Sequence, residues 1–153
     1  MGRIKLARID SRLAHGKMVE IWCETYEIKN VIIANDRTAL DPIRVEVMDL
    51  TIPDRIKSVY LKVQDVNAYL DKNEGDFFLI VENSEDLEKI IDQNIQIDEV
   101  NVGIIHLSIG KKSLTEMVAV DDEDMRIFRK LEKQGAKISV KRLPEDIDSK
   151  IEF

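Results

Sequence analysis

The sequence predicts an α/β fold with an open, mostly parallel β-sheet, helices on both faces and a single domain over residues 1–153. The length of 153 residues suits one domain with its own hydrophobic core. Short apolar or alternating segments recur along the chain, and between them apolar residues follow a helical spacing. Strands that alternate with helices form βαβ units, whose strands are parallel and whose helices cover the sheet.

Four strands and three helices are predicted for the first part of the chain. The predicted strands are the alternating or apolar segments 4–9, 31–34, 58–63 and 77–81. The predicted helices lie at 18–26, between Pro42 and Pro53, and at 66–70 with an end near Gly75. Asp41 before Pro42 is typical of an N-cap followed by proline at the first helical position.

The second part of the chain continues the alternation. One predicted helix is capped by Asn83-Ser84, and another starts at Asp121 and closes at Gly135. The predicted strands and strand-like segments are 99–102, 117–120 and 136–143, with an irregular stretch at 103–116.

Two of the predicted loops should meet at one edge of the sheet. Ligands of parallel sheets bind in the crevice at the carboxyl ends of the strands. Loop 10–16 follows the first strand and loop 35–38 follows the second, so both should open onto that crevice.

The charge of the chain is negative overall but uneven. The formal net charge of −7 argues against a general nucleic-acid binder, which shows a basic footprint. Residues 1–20 carry five basic and two acidic side chains, a local charge of +3, which leaves −10 for the rest. Such a segment is either a candidate anion site or a chance cluster on a solvated face.

The cysteine content and the apolar runs limit the class of protein. A single cysteine, Cys23, excludes an internal disulfide framework and a multi-cysteine metal site, and a lone thiol fits the cytosol. No basic residue activates it locally, so we expect a buried structural thiol. The longest apolar runs are too short to span a bilayer, so we expect no direct membrane insertion.

The candidate reactive residues of the chain lie in the segment 8–17. It places His15 at the start of a helix, among Arg8, Arg12 and Lys17. Positive surroundings keep an imidazole neutral, and a neutral ring nitrogen is a nucleophile near pH 7. The helix N-terminus and the guanidinium groups favour an anion. This loop therefore suits a phosphohistidine intermediate better than a metal ligand, and we expect neither metal nor cofactor.

Neighbouring residues are expected to complete this site. Gly16 lacks a side chain, so backbone N–H groups near Ala14, Gly16 and Lys17 can approach phosphate or a partner closely. Asn35 and Asp36 of the second loop are predicted to join them.

Two residues near the site leave alternatives open. Asp10 either selects which nitrogen of His15 reacts or stabilises the loop. His106 either lies near the crevice or fills a strand position, and the strand position is the favoured interpretation.

The loop residues also show a family resemblance. The pattern Arg8-Ile-Asp-x-Arg-Leu-x-His15-Gly16-x-x-Val19-x-x-Trp22 resembles the opening of the IIB component of the mannose/fructose/sorbose family of bacterial sugar phosphotransferase systems. Supporting segments are Asn35-Asp36 with Asp41 and Arg44, Asn101-Val102-Gly103, Gly110-Lys111-Lys112, Val118 to Val120, Gln134-Gly135 and Pro144. Departures from the family pattern occur at Ser11, Lys17 and 104–107.

The resemblance implies a cytoplasmic phosphocarrier and enzyme that associates peripherally with a membrane permease. A phosphohistidine on a IIA partner would pass its phosphoryl group to Nδ1 of His15. His15 would pass it to a sugar carried by the membrane components IIC and IID. Arg8 and Arg12 match basic positions of the family's active loop, and Asp10 matches its acidic one.

Two other functions fit the same loop. A regulatory or orphan homologue would be phosphorylated on His15 only as a signal. A small-anion-binding α/β module would use the loop as a phosphate cradle, although the chain lacks the glycine patterns of nucleotide-binding loops.

Overall fold

The central sheet of the molecule is open and parallel. The computed structural model describes residues 1–153, and six of its strands form one sheet in the order β3-β2-β4-β1-β5-β8, with every neighbouring pair parallel. These strands are β1 (Arg3–Asp10), β2 (Asn30–Ala34), β3 (Lys57–Leu61), β4 (Asp76–Val81), β5 (Ile97–Ile104) and β8 (Lys137–Val140). Two short strands, β6 (Lys112–Ser113) and β7 (Ala119–Val120), form a separate antiparallel pair.

Six α-helices connect these strands. They are α1 (Gly16–Tyr26), α2 (Asp36–Ala39), α3 (Pro42–Thr51), α4 (Val66–Lys72), α5 (Ser84–Ile91) and α6 (Asp122–Lys133), with a 3-10 turn at Val63–Asp65. No helix is both long enough and apolar enough to cross a lipid bilayer.

The strand alternation divides the core into two hydrophobic clusters. Ala7 and Ile9 of β1 belong to the larger cluster of 26 residues, which includes apolar residues of α4, α5 and α6. Leu6 belongs to the smaller cluster of 14 residues, together with Trp22 of α1. Because successive strand side chains point to opposite faces, Arg8 shares the face of Leu6 and meets the α1 layer.

The observed architecture confirms the predicted fold class. The caps predicted for two helices are present: the Asp41 side chain accepts a hydrogen bond from the Arg44 backbone N–H, and Asn83 accepts one from Asp86. Asp121 opens α6 through a capping box, in which its side chain and that of Asp124 bond each other's backbone N–H.

Several predicted boundaries were wrong. Segment 35–38, expected as a loop, enters α2, because the Asn35 side chain caps it by accepting from the Thr38 N–H. The irregular stretch 103–116 contains the end of β5 and all of β6. The segment 117–120 is a strand only at Ala119–Val120, and the last strand is shorter than 136–143.

Candidate functional site

The loop between β1 and α1 lies at the carboxyl edge of the sheet and is held by backbone hydrogen bonds. The Ser11 N–H donates to the Ile104 carbonyl at 2.9 Å, and the Leu13 N–H donates to the Asp10 carbonyl at 2.8 Å. Leu13 has a φ of 60° and is fully buried, so an apolar anchor fixes this left-handed turn. His15 follows it as the N-cap residue of α1.

The imidazole of His15 meets two charged side chains through one nitrogen. Its Nε2 lies 2.9 Å from Nη2 of Arg12 and 3.6 Å from Oδ2 of Asp10. Its Nδ1 forms no hydrogen bond within the protein. The His15 side chain is 37% exposed and that of Arg12 is 47% exposed, so both can be reached from solvent.

Asp10 is a fully buried carboxylate. Its Oδ1 accepts from the Arg12 backbone N–H at 2.9 Å, and its Oδ2 accepts from Nε and Nη2 of Arg8 at 3.2 and 3.1 Å. Burial by itself raises the pKa of Asp10, but the neighbouring His15 and Arg8 and the Arg12 N–H outweigh it and hold the pKa below its usual range. The group is therefore an anion at neutral pH.

Arg8 does not face the solvent. Its side chain is fully buried, and its Nη1 donates to the Asn101 Oδ1 and to the Arg142 carbonyl, each at 2.7 Å. Burial lowers its pKa, against the opposing effect of Asp10. In this structure the guanidinium predicted to bind phosphate is enclosed, because its N–H groups are directed at interior acceptors. Its contact with Asp10 makes it a support for the loop.

Arg8 is surrounded by Trp22, Asn101 and Gly103, which belong to the family pattern but whose contact with Arg8 was not predicted. A Cβ added at Gly103 would lie 2.3 Å from Cζ of Arg8, so only glycine leaves room for the guanidinium. Trp22 lies against the same group at 5.7 Å and donates from Nε1 to the Arg142 carbonyl at 3.2 Å. A glycine inside a strand is a signal of such close approach, but the predicted strand ended at residue 102 and left Gly103 outside it. We call Trp22, Asn101, Gly103 and the Arg142 carbonyl the Arg8 socket.

Gly16 is required by packing between helices. A Cβ there would lie 1.7 Å from the Thr51 carbonyl oxygen of α3, and the Gly16 N–H donates to the Thr51 Oγ1 at 3.1 Å. The N–H of Gly16 itself is therefore bonded within the protein. The next two backbone N–H groups, of Lys17 and Met18, have no acceptor in the protein and remain available to an anion at the helix N-terminus. Ala14 is buried, whereas the Lys17 side chain is exposed.

The second predicted loop is not joined to the first by polar contacts. The Asn35 side chain donates to Oε2 of Glu82 at 2.8 Å, and the Asp36 carboxylate accepts from the Val63 N–H at 2.9 Å. Neither forms a hydrogen bond or ion pair with His15 or Arg12. Their observed contacts stabilise α2 and the turn after β3.

His106 does not fill a strand position, contrary to the favoured interpretation. It is exposed just beyond β5, and its N–H donates to the Ser11 Oγ at 3.0 Å. An open pocket of about 170 Å³ lies between it, Arg12 and the segment 115–119. The side of the loop that carries Arg12 is therefore open to solvent.

One acidic cluster has the spacing of a metal site. Carboxylate oxygens of Glu85, Asp121 and Asp124 lie within 4.8 Å of one another. The Lys111 ammonium bonds to Asp124 and lies 3.5 Å from Asp121. The Lys111 ammonium thus supplies positive charge within this cluster of carboxylates.

The geometry suits transfer of an anionic group to a ring nitrogen. Nδ1 of His15 is unpaired, an exposed guanidinium and two free backbone N–H groups lie beside it in the chain, and a buried carboxylate faces Nε2. A carboxylate near an imidazole stabilises the ring when it becomes positively charged.

Comparisons with known proteins agree over nearly the whole chain. The model of a family described as "PTS system sorbose subfamily IIB component" matches residues 4–152. The sorbose-specific EIIB component of Klebsiella pneumoniae is 31% identical over 94% of this chain and 90% of its own. The mannose-specific EIIAB component of Escherichia coli K12 is 29% identical, and this chain spans 45% of it. The crystal structure of the N-acetylgalactosamine-specific IIB component 1 from Escherichia coli superimposes with a TM-score of 0.91, at 28% identity, over 97% of this chain and 99% of its own.

Proposed function

Because the chain belongs to the family of sorbose-subfamily IIB components of the sugar phosphotransferase system, we propose that His15 is the residue that carries the phosphoryl group. Membership implies phosphoryl transfer during sugar uptake. The observation that supports His15 most strongly is its ring, whose Nε2 faces Asp10 and Arg12 while Nδ1 is unpaired.

The proposed reaction transfers a phosphoryl group between two histidines. The lone pair of Nδ1 attacks phosphorus, the N–P bond of the donor breaks, and its electron pair returns to the donor ring. The His15 ring carries a positive charge if Nε2 keeps its proton, and the Asp10 carboxylate stabilises that charge. The Arg12 guanidinium and the N–H groups of Lys17 and Met18 bind the phosphoryl oxygens.

The proposed partners follow from the family. A IIA protein donates the phosphoryl group to His15. The sugar then receives it while the membrane components IIC and IID carry that sugar. The name of the mannose-specific EIIAB relative supports a IIA partner. The exposed basic side chains of Arg12 and Lys17 favour approach of an anionic phosphohistidine, although the chain as a whole has a net charge of −7.

The test is intact-mass spectrometry after incubation with phosphoenolpyruvate, the general phosphotransferase proteins and a IIA protein. We expect one phosphoryl group on the wild type and none on His15→Ala. The chain has two histidines, so His106→Ala is a matched control that should be phosphorylated like the wild type. Equal labelling of His15→Ala, or loss of label only in His106→Ala, would show that His15 is not the acceptor.

A second stage tests transfer to sugar. Phosphorylated protein is mixed with membranes that contain the IIC and IID components and with candidate sugars. Loss of the label together with formation of a sugar phosphate supports the transport role. A label that is retained with every sugar would favour the regulatory alternative.

A further inference from the structure

Two side chains, Arg12 and Asp10, lie near Nε2 of His15, and one requires Nε2 to be unprotonated while the other requires it to be protonated. Arginine has only donors, so the 2.9 Å contact with Arg12 is a hydrogen bond only when Nε2 offers its lone pair. A neutral imidazole then carries its proton on Nδ1. The Asp10 carboxylate, 3.6 Å away, is an acceptor and requires a proton on Nε2. The contact with Arg12 is the shorter of the two, and this geometry favours a lone pair on Nε2.

A neutral ring that accepts this hydrogen bond from Arg12 is the tautomer that cannot react at Nδ1. A protonated Nδ1 has its lone pair in the ring system and cannot attack phosphorus. Reaction requires the other tautomer, in which Nε2–H faces Asp10 and Nδ1 has a free lone pair. The contact with Arg12 opposes that change.

Of the two competing groups, Asp10 is fixed and Arg12 can move. Asp10 is fully buried and is held by Arg8, which the Arg8 socket encloses. Arg12 is 47% exposed, and its only other polar side-chain contact is an ion pair with Asp10 at 3.8 Å. A phosphoryl group near the loop attracts Arg12, because guanidinium binds phosphate oxygens in a bidentate manner.

We propose that Arg12 controls the tautomer of His15 and that binding of an anion releases the reactive form. When Arg12 turns from Nε2 to the anion, the Nδ1 proton is lost to water. Another proton is taken up at Nε2, where Asp10 accepts the hydrogen bond. The ring stays neutral, and its reactive nitrogen is free only when a phosphoryl group is present. This inference rests on the proposed role of His15 as acceptor.

The test measures ring tautomers in the unphosphorylated protein. Long-range ¹H–¹⁵N correlation spectra distinguish the two neutral forms at alkaline pH, where the ring is uncharged. We expect the Nδ1–H form to predominate in the wild type. In Arg12→Ala, the ratio of Nδ1–H to Nε2–H should fall by about tenfold or more, because hydrogen bonds to charged groups shift equilibria by that order.

Arg37→Ala is the matched control, since it also removes one exposed guanidinium but none that contacts His15. It should leave the signals of both His15 and His106 unchanged. A wild-type ring in the Nε2–H form, or an Arg12→Ala ring with the wild-type ratio, would overturn the proposal.

Inorganic phosphate is the probe for the anion. It should shift the Lys17 and Met18 amide signals and convert the wild-type ring to the Nε2–H form. Phosphate that shifts these amides without changing the ring, or that shifts neither, would overturn the anion-linked step. Because no donor protein is used, these results are independent of phosphorylation. The proposed function fails separately if His15 shows the tautomer change but never takes up a phosphoryl group.

Discussion

Two arginines of the same short motif have different surroundings and therefore different roles. Arg8 is a strand residue whose side chain points into the layer between the sheet and α1, and it is fully buried. Arg12 lies in the loop and is half exposed. A buried guanidinium with its donors satisfied can only position its neighbours, whereas an exposed one can bind an incoming anion. The backbone position of each arginine thus decides its role.

Gly103→Ala tests the importance of the Arg8 socket. The new Cβ, 2.3 Å from Cζ of Arg8, would displace the guanidinium and release Asp10. We expect phosphoryl uptake by the folded variant to slow at least about tenfold, as when one charge-assisted contact is lost. The measurement is the initial rate of labelling from a phosphorylated IIA protein.

Gly135→Ala is the control for stability alone. Its φ of 96° makes alanine strained there, but no atom lies within 4 Å of the added Cβ, and the residue is far along the chain from the loop. It should unfold at lower urea concentration and still be labelled at the wild-type rate. A Gly103→Ala variant that unfolds earlier but is labelled normally would show that the socket serves only stability.

The sequence indicated some site residues and could not indicate others. His15 and Arg12 are three residues apart in one loop, so residue type and spacing suffice to predict their association. Besides Asp10, the acceptors of Arg8 are 93 and 134 residues away, at Asn101 and Arg142. Such contacts depend on the strand order, which places β1 beside β5 and β5 beside β8, and no local pattern records that order.

The pair of helices α5 and α6 is joined by a charged cluster at the element scale. The Glu88 carboxylate accepts from both Nη atoms of Arg126, at 2.9 and 2.8 Å, and from Nζ of Lys130 at 3.0 Å. These hydrogen bonds, Arg126 first, lower the pKa of Glu88 to about 2 against the opposing effect of burial.

Glu88→Gln should therefore reduce stability in a pH-dependent way. A lowered pKa means that ionised Glu88 favours the folded state above its ordinary value of 4.5, and that this contribution is lost as the pH falls towards about 2. We expect a loss of about 1 kcal/mol at neutral pH, because water screens much of the pair, and a difference from wild type that vanishes in acid. Urea unfolding at several pH values measures it.

Glu132→Gln provides the comparison for this prediction. Glu132 is exposed on the same helix α6 and forms no ion pair. It should unfold like the wild type at each pH. If the Glu88→Gln and wild-type curves differ equally at all pH values, ionisation of Glu88 does not account for the stability.

Element prediction succeeded where a local signal was strong. The caps at Asp41, Asn83 and Asp121 were visible because short polar side chains precede apolar helical patterns. Helix α2 was missed because it has four residues and one fully buried side chain, Thr38, so it shows no periodicity. The pairing of β6 with β7 was missed because each has two residues, and only their tertiary contact defines them.

At the scale of the whole molecule, one thiol reports on the integrity of the fold. Cys23, as expected from sequence, is buried: it is 3% exposed within the cluster that includes Trp22, and burial raises its pKa to about 12 despite the charge of Arg55. A thiol must be exposed and ionised to react with alkylating reagents.

Labelling of Cys23 should thus be slow in the native protein and should follow opening of the structure. The chain has one cysteine, so the intact mass counts modified molecules directly. We expect the labelling rate to rise with urea in parallel with unfolding, and Gly135→Ala to label faster than the wild type. Rapid modification of the native protein in the absence of urea would contradict the buried environment.

The carbonyl of Arg142 ties the start of the chain, including the loop before α1, to a segment more than 100 residues later in the sequence. It accepts hydrogen bonds from Arg8 and from Trp22, both of which lie in the first two elements. During synthesis on the ribosome, the first strands emerge long before this carbonyl does. A nascent chain therefore contains His15 before the last part of the Arg8 socket, the Arg142 carbonyl, has been made. The surroundings proposed for phosphate transfer are therefore completed only after residue 142 has been synthesised.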